Sequence, residues 1–102
     1  MSFERWDYNF EGAFPTCESL EELPGVYVIW CKYLENWSVL DVGESDNVRK
    51  RVCNHDRENC WKRNCSGTIY FSAIYLPRST DEERRRIESY IRSQTNPPCG
   101  DR

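Results

Sequence analysis

Apolar and β-prone residues dominate GVYVIWC (25–31), and their two-residue alternation predicts a strand. A second run of this kind, Trp37 to Val42 (WSVLDV), follows a short polar and aromatic connection from Lys32 to Asn36, so the two runs read as a hairpin. Thr68 to Leu76 (TIYFSAIYL) is rich in β-branched and aromatic side chains and supplies a third strand. Between the second and third strands the period changes. After Gly43 a helix starts at Ser45 or Asp46, with Val48 and Val52 at i, i+4 forming a narrow apolar stripe. Asp56 to Ser66 reads as a loop or short helix ending in a turn at Gly67. Pro77 breaks the third strand. Ser79 or Thr80, with Glu82 or Glu83 three residues on, caps a last helix over Asp81 to Arg92, whose Ile87, Tyr90 and Ile91 face the core. The tail TNPPCGDR cannot continue it.

Ahead of the first strand the pattern is weaker. Thr16 to Leu23 (TCESLEEL) predicts a short helix stopped by Pro24-Gly25. Trp6, Tyr8, Phe10 and Phe14 follow neither a helical nor a strand period, so Met1 to Phe14 reads as an irregular arm over the core. The expected fold is therefore α/β (α+β): a small three-stranded, largely antiparallel sheet flanked by helices. It forms one domain over 1–102, with an arm and short helix over 1–23 and a core over 24–100. A chain of 102 residues suits one modest core, and four Trp, six Tyr and four Phe are enough to fill it.

No apolar run is long enough to span a membrane, and the start MSFERWDYNF lacks a signal-peptide pattern. A cytoplasmic protein is the expectation, with its six cysteines as free thiols. Zinc on Cys53, His55, Cys60 and Cys65 is an alternative, although Cys53-x-His55 does not match the tight ligand pairs of structural zinc sites.

The net charge of −3 argues against a general nucleic-acid coat, but charge is unevenly placed. Met1 to Gly25 holds six acids and one base, whereas Val48 to Arg63 holds six bases (Arg49, Lys50, Arg51, Arg57, Lys62 and Arg63) against two acids. A second basic run is Arg84-Arg85-Arg86. Such runs are ordinarily solvated helix faces. Trp61, between Arg57 and Lys62-Arg63, is the tryptophan best placed to stack on a base.

The ordered set GVY (25–27), DVG (41–43), RKRVCNH (49–55) and IESYI around Glu88 resembles the GIY-YIG nuclease family over roughly Pro24 to Gly100. The resemblance implies a DNA endonuclease that hydrolyses phosphodiesters with one Mg2+ or Mn2+. Tyr27 would sit by the attacking water, Arg51 and His55 would engage the phosphate from one helix face, and Glu88 would hold the metal. Activated water, charge neutralisation and a bound cation are what phosphodiester hydrolysis requires. Three positions depart from the family pattern. Asp41 replaces the second motif's tyrosine, as an alternative base or metal ligand; Glu44 stands where a base is common; and Gly100 lies where an Asn is expected. These departures support an alternative, a catalytically degenerate module that binds nucleic acid or a protein partner. Singly, each residue has a plainer reading: Tyr27 as a strand residue, His55 as a helix-end residue, and Glu88 as the partner of Arg84 or Arg92. A role in DNA repair, recombination or mobile elements follows from the family alone.

Overall fold

The structure, a computed structural model, describes residues 1–100. Its strands are β1 (Ser2–Arg5), β2 (Tyr8–Phe14), β3 (Gly25–Tyr33), β4 (Asn36–Ser45) and β5 (Thr68–Tyr75). Its helices are α1 (Val48–Cys53), α2 (Glu58–Arg63) and α3 (Asp81–Thr95). The strands form one sheet in the order β1-β2-β5-β3-β4, with every neighbouring pair antiparallel.

The expectation of three strands is corrected to five. Met1 to Phe14, read as an irregular arm, is a hairpin that pairs through β2 with β5. Its turn residues Trp6 and Asp7 both adopt positive φ (52° and 68°), which is the backbone a tight hairpin with strand-compatible twist needs. The helix expected over Thr16 to Leu23 shrinks to a single 3-10 turn, Cys17–Ser19. Residues 20–23 are instead fixed from outside, because the amides of Val48 and Arg49 donate to the carbonyls of Leu23 and Glu21.

Alternation along β3 sorts the core into two layers. Tyr27, Ile29 and Cys31 face one side, packing with Leu20, Val48, Val52 and Trp61 beneath α1, α2 and the 3-10 turn. Val26, Val28 and Trp30 face the other, against Phe10 of the hairpin and Ile91 of α3. The apolar stripe of Val48 and Val52 is buried as its spacing requires. On α3, Ile91 is buried and Ile87 half-buried, but Tyr90 faces outward. The capping box forms: Thr80 Oγ1 accepts from the Glu83 amide (3.1 Å) and Glu83 Oε1 accepts from the Thr80 amide (2.9 Å).

The free-thiol expectation is overturned. All six cysteines pair, as Cys17–Cys53, Cys31–Cys65 and Cys60–Cys99, and all three bridges lie in the Tyr27 layer. The zinc alternative goes with it, since Cys53, Cys60 and Cys65 each lose their thiolate to a different partner. Free thiols were expected from a reducing compartment, whereas disulfides of this kind form and persist in oxidising surroundings. No helix among the described residues is long and apolar enough to cross a membrane.

Candidate functional site

The site is built around the edge strand β4 at Gly43. A Cβ placed on Gly43 would lie 2.2 Å from Tyr27 Oη, so the glycine's function is to admit the Tyr27 ring from the neighbouring strand. The protein's own phenol occupies the space a side chain here would fill.

Tyr27, only 1% exposed, bonds through Oη to His55 Nε2 at 2.6 Å. His55 is not on the helix with Arg51. Helix α1 ends at Cys53, Asn54 Nδ2 donates to the Lys50 carbonyl, and His55 follows in the loop with 6% exposure. Its Nδ1 accepts from the Arg57 amide (3.1 Å). A backbone amide can only donate, so a neutral His55 carries its proton on Nε2 and donates it to Tyr27 Oη. The phenol's own hydrogen is then free for another acceptor. Burial, reinforced by the charges of Arg51 and Arg57, lowers the His55 pKa to about 4 and keeps the ring neutral. Burial also raises the Tyr27 pKa to about 12, against the pull of the Arg51 guanidinium beside it. Arg51 itself pairs with Asp56 Oδ1 at 3.1 Å and stays partly open to solvent. Thus Tyr27, Arg51 and His55 are brought together, through a loop rather than a shared helix face.

Asp41 has a different role from the one read in the sequence. It is fully buried, and its carboxylate accepts five hydrogen bonds. Oδ1 takes Arg92 Nη2 (2.6 Å), the Val42 amide (2.8 Å) and Arg57 Nη2 (3.2 Å); Oδ2 takes Arg57 Nε and Trp61 Nε1, both at 2.8 Å. A carboxylate has about four lone-pair directions, so none is left for a metal ion or a substrate proton. A register shift makes the arrangement possible: Ile29 opposes Asp41 while Trp30 opposes Val39, and the extra residue lets Leu40 and Asp41 both enter the Tyr27 layer. Asp41 is corrected from candidate base or metal ligand to a brace between α2 and α3.

Glu88 follows the plainer reading in part. Its Oε2 accepts from Arg92 Nε at 3.3 Å, and Oε1 makes no hydrogen bond among the described residues. Burial raises its pKa against the Arg92 contact. The Mg2+ or Mn2+ expected here has one free, hard carboxylate oxygen to bind. That is a sufficient start for Mg2+, which keeps most of its water ligands. No group of three close ligands surrounds Glu88 among the described residues. The one such group is Cys17, Glu18 and Cys53, whose sulfurs are bonded to each other. On α3, Arg84 also turns inward: it is buried and donates to Glu44 Oε1 (2.9 Å), Ser79 and Asp81. Glu44 is thus a helix anchor. Gly100, at φ 95°, lies where any side chain would strike Arg92 and Asp41.

The remaining nucleic-acid candidates divide. Lys50, Lys62 and Arg63 are exposed, Lys62 with Glu58 at 3.4 Å. Arg49 is tied to the Leu20 carbonyl (2.7 Å) and to Glu22 (3.2 Å). Arg57 is tied to Asp41. Trp61 is buried, so its ring offers no face to a base. Sequence reading missed the role of Arg92 in the brace; its i, i+4 spacing from Glu88 signalled only a pairing along the helix.

Comparison with protein-family profiles, with curated proteins and with solved structures finds no match.

Proposed function

We propose that this chain is a GIY-YIG-like, divalent-metal-dependent endonuclease acting on DNA phosphodiesters, with Tyr27, His55, Arg51 and Glu88 as its working groups. The supporting observation is the 2.6 Å bond between Tyr27 Oη and His55 Nε2 beside the Arg51 guanidinium, which leaves the phenol hydrogen free to bond to water or phosphate. Tyr27 would sit by the attacking water, Arg51 would offset charge on the phosphate, and Glu88 Oε1 would hold Mg2+ or Mn2+. The bound ion would polarise the phosphate. The three disulfides favour an oxidising compartment as the place of action.

One observation favours the second reading, a degenerate module that binds nucleic acid or a protein partner. Tyr27 is almost wholly covered, and the second-motif position is committed to the Asp41 brace. Incubation of plasmid, single-stranded and branched DNA with the protein in Mg2+ and in Mn2+ separates the two. The nuclease reading expects nicking that falls at least a hundredfold in both Glu88→Ala and Tyr27→Phe, within the usual range for losing an acid–base group. A folded wild type that binds DNA and leaves every substrate intact establishes the binding module instead.

A further inference from the structure

On the sheet face opposite Tyr27, α3 covers Val26, Val28 and Val42 but stops short of the far end of β3 and β4. There the hairpin, β3, β4 and β5 enclose a cavity of about 420 Å³ lined mainly by aromatic rings: Phe3, Trp30, Trp37 and Tyr70, with Arg5. That volume falls within the roughly 300–1,000 Å³ of small-molecule sites. Trp37 is 46% exposed at its mouth and stands perpendicular to Trp30 (87°), while Tyr70 lies 5.1 Å from it, centroid to centroid.

Two cations already lie on these rings. The Arg5 guanidinium lies 4.9 Å from the Trp6 centroid and 6.0 Å from that of Trp30, and Lys32 Nζ lies 5.5 Å from Trp37. No acidic residue lines the cavity, in a chain whose net charge is −3. The strand register explains this segregation: Phe3 and Arg5 alternate with Ser2 and Glu4, which point to the other face. Aromatic walls alone suit a quaternary ammonium ion, but resident cations repel one. A flat ring that carries negative charge satisfies both features.

We infer that this aromatic cavity is a nucleotide subsite, in which a base stacks against Trp37 and its phosphate meets Arg5 and Lys32. Both a free nucleotide and an unpaired base of a single strand offer this chemistry; a duplex, with its bases stacked and paired, does not. The inference stands apart from the phosphodiester reading, since it uses no residue of the Tyr27 layer.

Intrinsic tryptophan fluorescence of the intact, disulfide-bonded protein tests it. The titrants are a nucleoside monophosphate, a single strand of about eight nucleotides, a length within the site sizes of known single-strand-binding domains, the matching duplex, and choline. Quenching by the strand or the monophosphate is expected, and which of the two quenches identifies the source. Affinity should fall roughly tenfold in Trp37→Ala, the loss typical of one stacked base. It should also weaken in Lys32→Glu, which keeps every ring and guards against a folding defect in the first variant. The titration is run without divalent metal and reads binding alone, so a failed nuclease leaves this result intact. Equal affinity of wild type and Trp37→Ala, preference for the duplex, displacement by choline, or no quenching by either nucleotide form would each overturn the assignment.

Discussion

The two faces of the sheet are held by different means. On the Tyr27 face, α1 and α2 are six residues each, too short to persist alone in water, and all three disulfides are on that side. On the Val28 face, α3 runs for fifteen residues with a complete capping box and no cysteine within it. Local helix signals and covalent links thus substitute for each other. Where the sequence provides a long, well-capped helix, packing suffices; where it provides two short ones, cross-links compensate.

The largest expected effect comes from breaking this asymmetry. The bridges span 36, 34 and 39 residues, and loop-closure entropy gives each about 4 kcal/mol. Reduction should strip amide-exchange protection from α1 and α2 while α3, β3 and β5 retain theirs. Simultaneous loss in α3 would show that the faces are one cooperative unit. Next is the brace that joins the faces: Asp41→Ala leaves Arg57 and Arg92 without their shared carboxylate and should cost about 3–5 kcal/mol in denaturant titration. A loss below about 1 kcal/mol would mean that the two guanidinium groups find water or other partners.

Acid should act mainly on the disulfide-bonded face through His55. Its folded pKa, about 4, lies below the ordinary 6.5, so below pH 6.5 the unfolded chain binds the proton first. The stabilisation is therefore present above pH 6.5 and lost as pH falls to 4, by an amount on the order of 3 kcal/mol. His55→Gln should flatten that slope; an unchanged slope would assign it to other groups. The smallest effect should be on the other face, where Thr80→Ala removes one cap and costs about 1 kcal/mol, read as faster exchange at the start of α3.

The same contrast explains what could be read from the chain. β3, β4, β5 and α3 carry their periods and caps in adjacent residues, so they were legible. The hairpin over β1 and β2 was not, because its turn uses Trp6-Asp7 at positive φ with no glycine to mark it. The disulfides were also hidden, since each joins cysteines that only the folded sheet brings together. At the site, Tyr27, Arg51 and His55 were named from their order in the sequence. The burial of Arg84 and Arg92 was not foreseen, because a run of charges carries no sign of which member turns inward and meets a carboxylate from another strand.

The Asp41 brace has an evolutionary consequence. Arg57, Arg92 and Trp61 all donate to one side chain, and Gly100 is confined by two members of the group. A change at position 41 alone strands a buried cation, a half-buried one and an indole, and a change at position 100 alone displaces the ion pair. Lineages descending from this sequence should therefore keep or replace these five positions together.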